Sequence, residues 1–297
     1  MELLATGFNA WGQLQFNRDQ NEVDEPDDIH SFQPILKDDF IGRLYPSLSC
    51  TFVENTSGIR HAGFVEDDLE CIQEKLLSST AAIAGNGIVA EYDGRDTVFQ
   101  YPSKSKDEQQ RFTGMGHIVQ LAAFETGFVA LSHDGSVWSW GDERYIACLG
   151  REVTHSSPAE RPGLVEELED LPTGKIKKIS AAGYLVLALT EGCDLYVWGG
   201  HPGRQALLEG LSSSPVPLVV EEKDITDCGV GESHIIVLTS EGDVYSIGEN
   251  ASGQLGLPLK EARSWTKVPL CLRAGRVVCG VEAGWRTSFI LTKHQIL

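Results

Sequence analysis

The chain has 297 residues and a formal net charge of −19 at pH 7. Such a charge disfavours direct binding to nucleic acid, which depends on Lys and Arg side chains that neutralise phosphates, and it disfavours anionic membranes. A basic partner would be the natural complement, whereas the plainer explanation is that acidic loops keep the protein in solution. No apolar run approaches the length of a membrane span, and no signal peptide is visible.

The first predicted element is a short apolar strand at Leu3–Thr6, followed by a loop, Phe8–Leu14, that contains Gly12. An acidic segment comes next, residues 17–39, in which Asp and Glu are dense and apolar residues are few. A segment of this composition cannot bury enough apolar surface to fold. The sequence therefore predicts a mobile, acidic surface loop over residues 17–39.

A β-hairpin pattern then returns along the chain. Two short runs of β-branched and aromatic residues flank a turn signal, and an apolar residue is followed by glycine at a fixed distance. A weaker copy lies at Gly85–Tyr101, and a last copy begins at Gly284. The clear apolar–glycine pairs are Val53–Gly63, Leu131–Gly141, Leu189–Gly199 and Leu238–Gly248. This self-similarity predicts a repeat architecture.

Three connections separate the repeats. Residues 64–77 contain loosely periodic apolar residues, which predict a short helix. Residues 103–111 are polar, and we expect a connector there. Residues 142–175 form the longest connection, with a loop predicted at 154–162 and a further short helix at 164–171.

The last repeat is divided between the two ends of the chain. It has its first strand at Trp285–Leu291 and lacks a second, whereas Leu4–Leu14 matches Tyr245–Leu255 of the preceding repeat in spacing. A closed ring uses such half repeats, because the N-terminal strand completes the C-terminal blade and leaves no sheet edge unpaired. The sequence therefore predicts an all-β fold, a closed β-propeller of six blades with about 50 residues each, in a single domain over residues 1–297.

The repeat resembles that of the regulator of chromosome condensation family. Its strongest copy has Gly231 and His234, then Val-Tyr-Ser-Ile-Gly at 244–248 and Asn-Ala-Ser-Gly-Gln-Leu-Gly at 250–256. The family pattern is similar: Gly-x-x-His, a turn, Val-Tyr-Ser-Trp-Gly and Asn-x-x-Gly-Gln-Leu-Gly. The resemblance implies a β-propeller, typically of seven blades. Either a seventh blade is eroded within residues 142–175, or this ring is smaller.

No catalytic signature is visible. The chain lacks the Gly-x-x-x-x-Gly-Lys-(Ser/Thr) loop that holds phosphates, the His-Glu-x-x-His helix and the Gly-x-Ser-x-Gly elbow, and its histidines show no metal spacing. We expect no covalent catalysis, no cofactor and no metal. Seven cysteines occur without a Cys-x-x-Cys pair. We interpret them as reduced thiols of an intracellular protein of the cytoplasm or nucleus.

Three residues are candidates for a partner-binding surface. Trp11 stands at a loop tip where the matching repeat has the small Ser252, and Trp285 and Arg286 stand where that repeat has Glu and Ser. Trp and Arg are favoured interface anchors. Because the two chain ends share a blade, we expect all three residues in or near one sector, on the same face or on opposite faces. The alternative that Trp285 packs beneath a neighbouring loop is equally open.

Other prominent side chains have structural explanations. We expect His234 to bond the backbone of a neighbouring blade, and Asn9 and Asn250 to form Asx turns in equivalent loops. We expect the aromatic residues of the repeat strands to pack in the core. These residues are Trp138, Trp140, Trp198 and Tyr245.

Two functions from different classes remain. The first, which we prefer, is a non-catalytic scaffold: a monomeric ring that presents loops to a protein partner, with no direct contact to nucleic acid or membrane. The second, implied by the family resemblance, is a guanine nucleotide exchange factor that opens the nucleotide site of a small GTPase without covalent chemistry. The acidic surface is compatible with both, since the partner could have a basic surface or be a small GTPase.

Overall fold

The computed structural model describes residues 1–17, 26–105 and 108–295. In this part of the chain, strands dominate, and two short helices occur, α1 (Asp67–Glu70) and α2 (Gln73–Leu77). Two 3₁₀ helices lie at Glu143–Leu149 and Glu166–Leu168. None of the helices described is long and apolar enough to cross a membrane.

The strands are short and pair antiparallel with their neighbours. In chain order they are β1 (Glu2–Gly7), β2 (Ile29–Lys37), β3 (Ile41–Pro46), β4 (Cys50–Asn55), β5 (Gly58–Gly63), β6 (Ala81–Ile83), β7 (Ile88–Tyr92), β8 (Thr97–Pro102), β9 (Gln110–Thr113), β10 (Ile118–Phe124), β11 (Gly127–Ser132), β12 (Val137–Gly141), β13 (Gly163–Leu164), β14 (Ile176–Ala182), β15 (Leu185–Thr190), β16 (Leu195–Gly199), β17 (Val216–Pro217), β18 (Ile225–Val230), β19 (His234–Thr239), β20 (Val244–Glu249), β21 (Glu261–Lys267), β22 (Arg276–Gly284) and β23 (Thr287–His294).

These strands form six sheets, which we number as blades. Blade 1 is β3–β5, blade 2 is β6–β9, blade 3 is β10–β13, blade 4 is β14–β17, blade 5 is β18–β21, and blade 6 contains β22, β23, β1 and β2. This is the all-β, six-blade arrangement of a β-propeller, so the predicted count of six is confirmed. The chain divides into two compact units. Unit 1 comprises residues 1–77 and 223–297 with blades 1, 5 and 6, and unit 2 comprises residues 78–222 with blades 2, 3 and 4.

Blade 6 joins the two ends of the chain. β1 lies between β23 and β2, and it places Leu3 opposite Leu291 and Thr6 opposite Ser288. The prediction that the N-terminal strand completes the C-terminal blade is confirmed. Every residue of β1 is buried, because neighbouring strands flank both its edges and apolar side chains cover its faces.

The acidic segment differs from its prediction as a loop. Residues 29–37 form β2, the outer strand of blade 6, with Ala5 of β1 opposite Gln33. Residues 18–25 of the predicted loop lie outside the described residues. β2 is mostly exposed and contains Pro34, which is tolerated at a sheet edge because the edge strand needs no outward donor. Its stability comes from backbone pairing with β1, which composition does not reveal.

Blade 1 continues into helices after its third strand. Residues 64–77, predicted as one short helix, contain α1 and α2. α2 packs against β3 and β4, and its Leu77 lies in a buried cluster with Cys50 and Phe52. The helical segment thus covers a face of the blade while adding no strand to it.

Two predicted connections in unit 2 contain outer strands. β9 begins within the polar segment 103–111, so the weak copy at 85–101 is the centre of a four-stranded blade. β13, inside residues 142–175, has only two residues and pairs with Trp138 and Ser139. An outer strand that faces solvent needs no apolar alternation, and the hydrophobic pattern that predicts strands is therefore weak there.

The core of unit 2 lies between the faces of neighbouring blades. Trp140 and Trp198 are fully buried, as predicted. Trp140 Nε1 donates to Gln100 Oε1 at 2.6 Å, and Trp198 Nε1 donates to Cys148 O at 3.0 Å. Buried indoles need such partners, and both bonds link a blade to a neighbouring strand or loop of the same unit. Trp138 is only partly buried. In unit 1, Tyr245 is buried as expected.

Candidate protein-interaction site

The loop that carries Trp11 is held by its own side chains. Asn9 Oδ1 accepts a hydrogen bond from Leu14 N at 3.0 Å, which closes the loop. Gln13 Oε1 accepts from Trp11 N at 3.0 Å, and Gln13 is buried. Two side-chain acceptors therefore fix the loop backbone, one at Trp11 and one at Leu14.

The matching loop of blade 5 repeats this geometry. Leu255 N donates to Asn250 Oδ1 at 2.8 Å, and Ser252 N donates to Gln254 Oε1 at 2.9 Å. The asparagine bonds a residue five positions on, in place of the tighter Asx turn that the sequence predicts. The equivalence of the two loops confirms the sequence match, and it shows that the scaffold is the same whether the tip residue is Ser or Trp.

Trp11 projects from this scaffold into solvent beside a second aromatic residue. The Trp11 side chain is 51% exposed and Phe64 is 55% exposed, and their ring centroids are 6.0 Å apart. Leu48 is exposed next to the same loop, and its carbonyl accepts from Gln13 Nε2 at 3.0 Å. We call Trp11, Leu48 and Phe64 the aromatic patch. Contiguous apolar patches on a protein surface are candidates for interaction sites, and this group is therefore one.

Trp285 and Arg286 share one carboxylate of the neighbouring blade. Trp285 Nε1 donates to Glu232 Oε2, and Arg286 Nε lies 3.2 Å from the same oxygen. Trp285 is partly buried, and the Arg286 side chain remains about half exposed. Trp285 therefore packs against a neighbouring loop, as one of the two sequence expectations has it, while Arg286 is accessible.

Backbone contacts bring the candidate residues to one end of blade 6. Phe8 N donates to Arg286 O at 2.9 Å, so the Trp11 loop and the Trp285–Arg286 turn leave the sheet side by side. On the other side of this turn, a Cβ at Gly284 would come within 2.7 Å of Pro46 Cβ in blade 1. The three predicted residues thus lie in one sector of unit 1.

His234 has the structural role that the sequence predicts. Its Nε2 lies 3.2 Å from Thr287 O and 2.9 Å from Ser288 Oγ, both in the neighbouring blade 6. Burial lowers the pKa of His234 to about 4, so the imidazole is neutral at physiological pH. Because the Thr287 carbonyl can only accept, Nε2 carries the proton.

Unit 2 has an aromatic cluster of its own. Tyr184 lies 5.1 Å from Tyr145 and 4.7 Å from His201 between ring centroids, and the Arg204 guanidinium lies 5.7 Å from the Tyr184 centroid. Burial raises the pKa of Tyr184. Rings at these separations pack on one another and leave no cage between them, so we interpret the cluster as packing.

The described residues include no cluster that could hold a metal ion, and Cys148 is a buried thiol. Among them, no group of three or more His, Cys, Asp or Glu side chains is arranged to hold a metal ion. Burial raises the pKa of Cys148 to about 12, which keeps this thiol protonated and unreactive.

Two members of the aromatic patch were not predicted from the sequence. Phe64 follows Gly63 directly, whereas the repeat-equivalent Gly141 and Gly248 are followed by Asp and Glu. The same position is Gly200 after Gly199 and Phe8 after Gly7, so an apolar residue there was only a weak signal. Leu48 carries no such signal, because the turn before β4 matches other blades poorly.

The comparisons with known proteins agree with the fold. Residues 225–254 and 241–291 match family models described as the Regulator of chromosome condensation (RCC1) repeat. The regulator of chromosome condensation of Mus musculus is 34% identical over 145 residues, which cover 47% of this chain and 32% of that protein. The matched region thus spans less than half of either protein.

Two solved structures extend the likeness to the whole chain. Human WBSCR16 superposes with a TM-score of 0.69 at 14% identity, covering 100% of this chain and 99% of that one. Prp20p from Saccharomyces cerevisiae superposes with a TM-score of 0.59 at 15% identity, covering 100% and 92%. At this identity the likeness concerns the fold alone. The matches at residues 225–291, taken with the six sheets, show a β-propeller that contains repeats of the regulator of chromosome condensation (RCC1) type.

Proposed function

We propose that this chain is a non-catalytic interaction module that binds a protein partner through the aromatic patch, with Trp285 and Arg286 at its border. The observation that carries the proposal is the exposure of Trp11 and Phe64 side by side, at 51% and 55%. Large aromatic side chains on loops that are already fixed contribute binding energy with little loss of conformational entropy.

The charge of the chain supports a basic partner. At −19 the protein attracts cationic surfaces and steers their approach, while the apolar patch supplies the close contact. All seven cysteines are free in the structure, which is compatible with an intracellular location. We propose that the chain acts there as a monomer.

Quantitative affinity purification from cell extract tests the proposal. The tagged wild type is compared with Trp11→Ser/Phe64→Ser and with a control, Leu259→Ser, which removes an exposed apolar residue of blade 5 outside the patch. We expect the patch variant to lose a partner that the control retains, by about tenfold or more. Equal recovery of every partner by all three proteins would refute the assignment of the patch.

A guanine nucleotide exchange factor for a small GTPase is the second candidate. It is motivated by the likeness to Prp20p, whose structure was described together with its binding to Gsp1p and histones. The test is release of a fluorescent GDP analogue from a panel of small GTPases. Acceleration that the wild type gives and the Trp11→Ser/Phe64→Ser variant loses would replace the first candidate with the second. If the protein accelerates nucleotide release from no GTPase in the panel, the interaction module remains the proposed function.

A further inference from the structure

Among the residues that the structure describes, none covers the outer edge of blade 1. Blade 1 contains three strands, where each of the other five sheets in the described part of the chain contains four. In those five sheets an antiparallel outer strand covers the third strand, but no described residue pairs with the outer side of β5. An uncovered strand edge is a template for pairing with another chain.

The register of β4 and β5 shows which backbone groups are free to pair. Phe64 N donates to Ser49 O at 2.9 Å, which makes this a hydrogen-bonded pair of the ladder. In an antiparallel ladder the bonded pairs alternate, so Ile59, His61 and Gly63 direct their N–H and C=O groups away from β4. The side chains of Ile59 and His61 are also exposed.

The equivalent groups of other blades are bonded. Gly63 stands at the same repeat position as Gly141 and Gly199, since each follows the apolar strand residue of its repeat at the same spacing. Gly141 N donates to Ala159 O at 2.8 Å, and Gly199 N donates to Ser212 O at 3.0 Å. The outward amide of Gly63 has no acceptor among the described residues. The glycine amide at this repeat position is thus hydrogen-bonded in blades 3 and 4, whereas in blade 1 no described residue accepts from it.

The two ends of this edge differ in character. The end at Gly63 leads into Phe64 and hence into the aromatic patch. At the other end is the turn that joins β4 to β5, and there Asp38, which precedes β3, accepts hydrogen bonds from Thr56 Oγ1 at 2.6 Å and Asn55 Nδ2 at 3.0 Å. The Thr56 hydroxyl holds the pKa of Asp38 below its usual range, so the carboxylate is charged at neutral pH. Beside Gly58 the space is open, because a Cβ there would meet nothing within 4 Å.

We infer that an extended segment of a protein partner completes blade 1 by adding as a fourth strand along β5, with an aromatic or large aliphatic residue near its N-terminal end and a Lys or Arg near its C-terminal end. The outer strands of the other blades run antiparallel to the third strand, and an incoming strand of the same sense starts at Gly63 and ends at Gly58. The apolar residue then meets the aromatic patch, and the basic residue meets Asp38. This inference rests on the proposed function, because the patch anchors one end of the strand.

Strand addition explains why an exposed edge and an exposed aromatic pair lie together. Main-chain hydrogen bonds along an edge give affinity without sequence preference, and side-chain pockets at its ends give specificity. β5 has six residues. At about 3.3 Å per residue it offers an edge of about 20 Å, so the apolar and basic residues of the partner segment are separated by about six positions.

The probe is a synthetic peptide with this pattern, acetyl-Ser-Trp-Val-Thr-Val-Thr-Val-Lys-Ser-amide. The control peptide has the same composition in reverse order. Hydrogen exchange of backbone amides is followed by NMR in the protein alone and with each peptide. We expect the first peptide to slow exchange at Ile59, His61 and Gly63, while the amides of Arg60 and Ala62, which already face β4, change little. The reversed peptide should bind about tenfold more weakly.

Variants at His61 distinguish the role of its backbone amide in peptide binding from the role of its side chain. His61→Pro removes an outward N–H and obstructs an incoming strand while leaving the ladder to β4 intact, whereas His61→Thr loses the same ring and keeps the amide. We expect His61→Pro to weaken peptide binding about tenfold and His61→Thr to leave it within about threefold. If His61→Pro does not fold, Ile59→Pro serves as the second variant, because its N–H also points outward. Thermal unfolding checks that the variants are folded.

Four results would overturn the inference. Amides of Ile59, His61 and Gly63 that are already protected in the protein alone would mean that its own chain fills the edge. A concentration-dependent dimer by light scattering, lost in His61→Pro, would assign the edge to a second copy. Absence of alternating protection with the first peptide would reject strand addition. If Trp11→Ser/Phe64→Ser loses the cellular partner but His61→Pro does not, strand addition is rejected while the proposed function stands.

Discussion

Glu2 and Arg276 face each other across strand β23, and Arg276 Nε lies 3.2 Å from Glu2 Oε2. The Arg276 side chain is 4% exposed and the Glu2 side chain is 5% exposed. The two residues belong to the N-terminal and C-terminal parts of blade 6. Between them, Arg276 Nη1 donates to Thr292 Oγ1 at 3.2 Å, and Thr292 Oγ1 donates to Glu2 O at 3.2 Å. The joined chain ends are thus held by a buried ion pair as well as by the strand ladder.

Removing one partner of this pair should destabilise the protein strongly. Glu2→Gln leaves the Arg276 guanidinium buried without its counter-charge, and we expect unfolding by urea to show a loss of about 3 to 5 kcal/mol. Arg273→Met is the matched control, because Arg273 lies 3.6 Å from the same carboxylate but is mostly exposed. Its cost should be below about 1 kcal/mol. Similar losses in both variants would mean that burial does not decide the strength of this pair.

His234 should make stability depend on pH. The folded-state pKa of about 4 lies below the ordinary value of 6.5, so the folded protein favours the neutral ring. The stabilisation that the neutral His234 ring gives the folded state is complete above pH 6.5, declines as the pH falls from 6.5 toward 4, and is lost below that. The difference between the two pKa values corresponds to about 3 kcal/mol in the free energy of unfolding. The free energy of unfolding measured at pH 7 and pH 4 should fall less in His234→Gln than in the wild type.

The exposed His155 provides the control for this measurement. His155→Gln should change stability with pH as the wild type does, because it removes a histidine without removing a buried one. At pH 7, His234→Gln should also cost about 1 to 3 kcal/mol, since the groups at Thr287 and Ser288 lose their partner. An unchanged pH dependence in His234→Gln would contradict the buried, neutral state of the ring.

Arg151 should be irreplaceable by Lys. Its guanidinium is buried and donates to the carbonyls of Ser139 at 3.2 Å, Pro158 at 2.9 Å and Arg161 at 2.9 Å, and burial lowers its pKa. A single ammonium cannot reach acceptors spread around a planar fork, so Arg151→Lys should lower the free energy of unfolding by about 2 to 4 kcal/mol. The exposed Arg161→Lys should change it by less than about 0.5 kcal/mol. Thermal and urea unfolding would show the contrast.

The fold could be predicted because its repeat is carried by inner strands. The spacing from Leu238 to Gly248 reflects a buried apolar strand and a positive-φ glycine, at which a Cβ would come within 2.3 Å of Ser233 O. Both features are enforced by sterics and burial, so they recur in the sequence. The split of the last repeat between Leu4–Leu14 and Trp285–Leu291 is enforced in the same way, because β1 is fully buried.

The outer strands could not be predicted, and the site was predicted only in part. β2 and β9 pair through their backbones and expose most of their side chains, so neither leaves a hydrophobic pattern. Trp11 was identifiable as a departure from Ser252 in the same scaffold. The open edge of blade 1 arises because the helices α1 and α2, and no outer strand, come next after β5. Since outer strands leave so weak a pattern where they are present, the absence of one leaves no mark in the sequence.

Gln13 should position the aromatic patch, and blade 5 offers its matched control. Gln13 Oε1 accepts from Trp11 N and Gln13 Nε2 donates to Leu48 O, so one side chain links two members of the patch. Gln254 holds the equivalent loop, whose tip is Ser252. Because both glutamines are 1% exposed, Gln13→Ala and Gln254→Ala should each cost about 1 to 2 kcal/mol of stability. Only Gln13→Ala should reduce recovery of the patch-dependent partner and speed hydrogen exchange at Trp11. Equal effects of the two variants on partner recovery would mean that Gln13 acts through overall stability, and that the patch does not depend on the loop beneath it.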